Sequence, residues 1–308
     1  AALAGGLVGT GPSATRSGSF SLTAGALTDF SGLNQQLNAG GLSRGRSIET
    51  LSGDLVLVAG ETIQAEEVTL AASGGRLIVS GLIDAQGPDG GRVLLAARDD
   101  LTVTTGAEID ARPTAASDRA SRVTLSSENG DVSLETGSRV RLDGFGGDTG
   151  GELLVRARAT TDDIRVASLG GAIEGALRTI LEPVLHADPI EVLDAFVTDS
   201  LRSLLDNFMA AAPATIRSRL GARADVLVRP GLEVVADNDL VVTDPWDLAD
   251  WRWDDQPGYL TLRAPGNLSV QGNLSDGFRK NGTVLGQLSG DSWSFDLVAG
   301  ADPGSVLS

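Results

Sequence analysis

Residues 91–111 read GRVLLAARDDLTVTTGAEIDA. Three short apolar runs, Val93-Leu94-Leu95, Leu101-Thr102-Val103 and Ile109-Asp110-Ala111, are separated by an acidic pair and a glycine turn. Alternation sets Leu101 and Val103 on one face and Thr102 and Thr104 on the other, the period of a half-buried strand. The unit precedes this stretch as Val68-Thr69-Leu70, Leu77-Ile78-Val79 and Ile83-Asp84-Ala85. It follows as Val123-Thr124-Leu125, Val132-Ser133-Leu134 and Val140-Arg141-Leu142, and a fourth copy begins Leu153-Leu154-Val155 and Ile164-Arg165-Val166. First runs start at 68, 93, 123 and 153, a spacing of about 25–30 residues, which is the range of solenoid repeats. No helix-length pattern separates successive runs, which argues against an ordinary βαβ sheet. Coils of a parallel β-helix, stacked about 4.8 Å apart, fit the pattern.

Composition agrees. Forty glycines and an aromatic content of 4% in 308 residues suit a fold with frequent turns, and Gly74-Gly75, Gly90-Gly91, Asn129-Gly130 and Gly146-Gly147 supply corner conformations. The chain has no cysteine. That excludes thiol nucleophiles, Cys-ligated zinc and iron–sulfur clusters; beyond that, the plain reading is that it carries no message, and the sharper one is a bacterial protein exported unfolded. The net charge is −17, with Lys280 the single lysine, so phosphate backbones are repelled and nucleic-acid binding is not expected. No stretch reads as a transmembrane span. Ala1–Val8 is too short and lacks the basic start of a signal peptide. Both ends read as cuts through a longer polypeptide.

Three regions follow. Residues 1–171 are read as coils, irregular over 17–60. Residues 172–222 are read as a helical insertion: Leu177, Ile180, Leu181, Val184 and Leu185 recur at helical spacing, Asp188-Pro189-Ile190-Glu191 looks like a helix start, and Ala212-Pro213 opens a third short helix ending near Gly221. Residues 223–308 return to coils and carry a Trp-rich loop, Pro245–Trp253.

Gly53–Gly60 (GDLVLVAG), Gly91–Ala111, Tyr259–Phe278 (YLTLRAPGNLSVQGNLSDGF) and Ser292–Asp302 (SWSFDLVAGAD) together resemble the filamentous-haemagglutinin-like exoproteins of Gram-negative bacteria, the passengers of two-partner secretion. The resemblance implies an all-β, right-handed parallel β-helix, export through an outer-membrane partner pore, and a place secreted at the bacterial cell surface. Adhesion, biofilm formation, toxin delivery and haem acquisition are known in that family, and these residues select none of them.

Candidate sites are few. Trp246, Trp251, Trp253 and Tyr259, laced with Asp247, Asp250, Asp254 and Asp255, form the best binding candidate, since aromatic faces beside carboxylates hold sugars. The competing reading is that the rings cover a coil or pack against the helical insertion. His186 is the only histidine and has no G-x-S-x-G elbow with it, so it reads as a packing residue. Asp84, Asp110 and Asp143 fall at similar points of successive units; stacked carboxylates suggest an acid/base pair or calcium, against the plainer role of capping turns. The acidic pairs Asp99-Asp100, Asp162-Asp163 and Asp237-Asn238-Asp239 read as turn chemistry. Asn-x-Ser/Thr triplets at Asn267, Asn273 and Asn281 are expected by chance in such a composition. The sequence thus points to a non-catalytic, structural or adhesive rod needing no cofactor and no metal, with surface glycans or proteins of host or sibling cells as contacts. A glycan-binding module and a polysaccharide-degrading β-helix are the alternatives.

Overall fold

The computed structural model describes residues 8–9, 17–147, 150–221, 226–281, 284–287, 291–302 and 304–307. The Ala1–Val8 run, the Asn281 triplet and Ser308 fall wholly or partly outside the described residues.

The chain is a parallel β-helix. One long sheet runs through the molecule and holds eleven strands: β1 (Ser19–Ala24), β2 (Gly45–Thr50), β3 (Glu67–Ala72), β4 (Arg92–Ala97), β5 (Arg122–Ser127), β6 (Gly151–Arg158), β7 (Ala176–Ala187), β8 (Val226–Val228), β9 (Gly231–Val235), β10 (Tyr259–Ala264) and β11 (Ser294–Ala299). β7 pairs with both β8 and β9, and β10 and β11 follow β9. Two five-stranded sheets complete the first coils. One stacks Leu55–Leu57 to Val166–Leu169, the other Thr62–Gln64 to Ala172–Glu174. In the later coils these sides are shorter, with Val192–Leu193, Leu240–Val242 and Leu268–Val270 on one and Trp246–Asp247 and Leu274–Ser275 on the other.

Register turns the repeat into a core. Ile48, Leu70, Leu95, Leu125, Val155, Leu181 and Val228 are directly paired from coil to coil and form one buried column. Each such side chain contributes about 1.5–3 kcal/mol by leaving water. The neighbouring column is Val68, Val93, Val123 and Leu153, but its first member is Arg46. Burial lowers the Arg46 pKa to about 10. Its guanidinium is held by the Leu42 carbonyl at 3.0 Å and Asn34 Oδ1 at 2.9 Å.

Asn34 belongs to a helix within the region read as irregular strands and loops, α1 (Phe30–Ala39). Asp29 caps it by accepting the Gly32 N–H, and Phe30, Leu33 and Leu37 are buried. Its amides Asn34 and Asn38 both donate to Thr62 O, tying α1 to the first coil.

The helical insertion is narrower than its spacing suggested. Leu177, Ile180, Leu181, Val184 and Leu185 lie in strand β7, where Thr179–Leu185 is buried without a break. A strand covered on both faces gives a continuous apolar run, and such a run also satisfies helical spacing. Asp188-Pro189 is a cis peptide outside any helix. The cap is Asp194, which accepts the Val197 N–H at 2.9 Å and starts α2 (Ala195–Arg219). Ala212-Pro213 does not open a third helix. Leu201, Leu205, Phe208, Met209, Ala212 and Ile216 keep one buried phase across Pro213, so packing offsets the lost hydrogen bond. Gly221, with φ of 57°, follows the end. The buried face of α2 belongs to the same core as the coils.

The long sheet bends at β7. Ala301 N–H donates to Ala264 O on β10, and four residues later Ser305 Oγ donates to Glu49 on β2. Four residues span at most about 14 Å, whereas seven straight sheet steps would span about 34 Å. The sheet is therefore folded toward its outer face. The fold lies around β7, whose one edge pairs with β6 along Ala176–Val184 and whose other edge pairs with β8 at Thr179–Leu181 and with β9 at Val184–Ala187. Two limbs thus face one another, one of β1–β6 and one of β9–β11.

Candidate functional site: an ionic cleft at the bend

Side chains on the outer face of the long sheet alternate with core side chains, so in a straight rod they would be solvated. At the bend they are enclosed. Glu182, on β7, is fully buried and accepts from Arg156 Nε at 2.5 Å and Arg229 Nε at 2.7 Å. Arg156 also lies 3.8 Å over the ring of Tyr259, a contact between the limbs. Burial works against the Arg156 charge, yet Glu182 and Tyr259 hold its pKa above the usual value. Burial likewise pushes the Tyr259 phenol up, against the pull of Arg156.

Beside this triad lie His186, Glu233, Arg263, Asp296 and Glu128, around a crevice of about 100 Å³. His186 Nδ1 is 3.3 Å from Glu233 Oε2, and Glu233 Oε1 is 3.5 Å from Arg263. Burial lowers the His186 pKa, with Glu233 opposing, and burial raises that of Glu128, with Arg98 opposing. Val306 and Leu307 line the crevice as well. The volume admits a few waters, at about 30 Å³ each, and falls short of the roughly 300 Å³ of small-molecule pockets. Among the described residues His186 is paired with Glu233 and is hydrogen-bonded to no side-chain hydroxyl.

The aromatic candidates divide. Trp246 and Trp251 are buried, their rings 5.5 Å apart at 68°. Trp293 completes the group, donating Nε1–H to Trp251 O at 2.9 Å; it lies 40 positions beyond Trp253 and was outside the group drawn from sequence. Arg202 of α2 sits 6.0 Å from the Trp251 ring. Trp253 is half-buried and closes a tight turn with Gln256 through Asp254 and Asp255, whose φ values are 52° and 58°. These rings seal the joint between late coils and α2, and the buried faces of Trp246 and Trp251 offer a sugar nothing to stack on. Tyr259 stands apart from them, in the cleft.

The aspartate column is differently composed. Asp84 pairs in register with Asp110, but Asp110 pairs with Arg141 and not Asp143, and Arg141 pairs with Glu174. Asp110 is buried. It accepts from Arg112 at 2.9 and 2.7 Å and from Gln86 at 2.8 Å. Burial would raise its pKa, but Arg112 and Arg141 hold the carboxyl below the ordinary value. A carboxylate so engaged is a poor proton donor. Among the described residues no group of acidic or imidazole side chains has the geometry of a metal site, and no helix is long and apolar enough to cross a membrane.

No protein-family model, no curated protein and no solved structure matches this chain.

Proposed function

We propose that this chain is a structural, adhesive segment of a secreted surface exoprotein, exported through an outer-membrane pore and displayed to touch other surfaces. The observation that carries the reading is the filled stack: the coil interior is packed with Leu, Ile and Val from Ile48 to Leu262. What varies from coil to coil is the outward row of side chains. A scaffold of this kind presents area and not a pocket. The absence of cysteine and the resemblance of Tyr259–Phe278 and Ser292–Asp302 to exported passengers support the route.

The contact area we favour is the corner carrying Phe145 and Leu177, which are 54% and 63% exposed. They line a shallow groove of about 400 Å³ with Pro113 and Arg119. Arg92 and Arg122, paired in register on adjacent coils, lie next to it. Exposed apolar side chains among arginines suit protein surfaces. The test is retention of beads coated with the chain on epithelial cells, bacterial cells and glass. Retention on at least one surface, reduced several-fold by Phe145→Ser with Leu177→Ser, is expected. No retention on any of the three would end the adhesive reading.

A further inference from the structure

We infer that Gly304–Leu307 is a strap that holds the long sheet bent, and that its release opens the ionic cleft between the limbs. The strap leaves the limb of β9–β11 at Ala301 and reaches the opposite limb through a compact set of contacts. Ser305 Oγ donates to Glu49 Oε1, and the Val306 N–H donates to Ser73 Oγ at 3.0 Å. Ser305, Glu49 and Ser73 are all buried. Within the strap, Leu307 N–H donates to Ser305 Oγ at 3.0 Å and Gly304 N–H to Asp302 Oδ1 at 2.8 Å. Val306 and Leu307 lie against the crevice that holds Arg156, His186, Glu233, Tyr259 and Arg263.

β7 is the one strand of the long sheet that pairs with two successive strands along one edge, β8 and then β9. Pro183 stays paired with β6 through Ala157 and falls between the β8 and β9 pairings of the other edge, and Pro230 separates β8 from β9. Each limb keeps its own ladder of backbone hydrogen bonds on either side of β7, so opening breaks limb-to-limb contacts and requires α2, held to Val166 O by Arg219 and to Asp250 O by Arg202, to release one limb. Apart from Val184, Leu232, Val306 and Leu307, the side chains lining the cleft are mainly charged or polar and accept water. Two of them, Glu128 Oε2 and Arg263 Nε, are buried with no protein hydrogen-bond partner in the closed form, and opening gives both atoms free access to solvent. The device is a two-state hinge with a short latch.

The cysteine-free sequence allows a direct measurement. Spin labels at Ser21→Cys and Ser294→Cys, two exposed positions on the terminal strands β1 and β11, report the separation of the limbs. The parent protein is expected to give a short, narrow distance. Ser305→Glu places a second carboxylate against Glu49 and is expected to shift the distance toward the roughly 43 Å that nine straight sheet steps would span, with the far-ultraviolet circular dichroism unchanged. An unchanged distance in folded Ser305→Glu overturns the proposal, as does a long distance in the parent. If Ser305→Glu does not fold, Ser305→Ala decides: a second, longer population supports the strap and an unchanged distribution overturns it.

Discussion

Ser305 Oγ donates to Glu49 Oε1 at 2.5 Å across 256 positions of sequence. Ser73 Oγ donates to the same oxygen at 2.7 Å, and Thr23 Oγ1 to Oε2 at 3.4 Å. Three hydroxyls from separate segments thus converge on one buried carboxylate. Glu49→Ala strands the Ser73 and Ser305 hydroxyls without their acceptor and is expected to cost about 1–3 kcal/mol. Urea unfolding of Glu49→Ala beside Glu49→Gln, which keeps an acceptor oxygen, measures it; equal losses would show that the hydroxyl cluster contributes nothing.

Glu182 lies between Arg156 and Arg229 with its side chain fully buried. Glu182→Ala leaves two largely enclosed guanidinium groups facing one another. Breaking a buried pair in this way costs about 3–5 kcal/mol. Thermal unfolding of Glu182→Ala should show one of the largest single-residue losses in the chain, and a loss within the range of surface substitutions would mean that water already reaches the triad.

His186 sets a pH dependence. Burial holds its folded pKa below the unfolded value of about 6.5. As pH falls through about 6.5 the unfolded chain takes up a proton that the folded chain refuses, so stability falls from there down to the folded pKa and levels off below it. Glu128, whose carboxyl burial raises, acts in the opposite sense. The difference between wild type and His186→Gln isolates the imidazole. Melting curves at pH 7.5 and 5.5 should show the wild type losing more than the variant on acidification; identical losses would remove His186 from the account.

Leu125 is fully buried in the coil column, whereas its neighbour Thr124 is only partly covered on the outer face. Leu125→Asp should prevent folding or cost several kcal/mol, since it buries an unpaired charge in an apolar column, while Thr124→Asp should cost about 1 kcal/mol or less. Equal melting shifts for the two would contradict the alternation.

Trp251 tests the glycan reading against the packing one. Trp251→Ala removes a buried ring packed edge-on to Trp246, with Arg202 6.0 Å away, and should cost about 3–5 kcal/mol. Its glycan-array profile, measured well below the melting point, should match that of the wild type. A selective loss of glycan binding with the stability kept would reverse the assignment.

The repeat was legible because both of its signals are local. Alternation at Leu101 and Val103 and glycine corners every few residues fix which side chains face inward, whatever the rest of the chain does. The end of α2 near Gly221 was legible for the same reason. Its start was not, because a strand buried on both faces, β7, carries the same apolar density as a helix face. α1 escaped notice because it is short and apolar at only a few positions, though its Asp29 cap was there to be read.

The sequence by itself determined a parallel β-helix with a helical interruption, since periodicity and turn residues act between near neighbours. The tertiary structure alone decided the bend with its union of Ser305 and Glu49, and, through register and packing, the Arg156–Glu182–Arg229 triad, the burial of Trp246 and Trp251, and the pairing of Asp110 with Arg141. These depend on coil register and on contacts between segments far apart in the chain. Such choices are set by the summed packing of residues far apart in sequence, which no local pattern encodes.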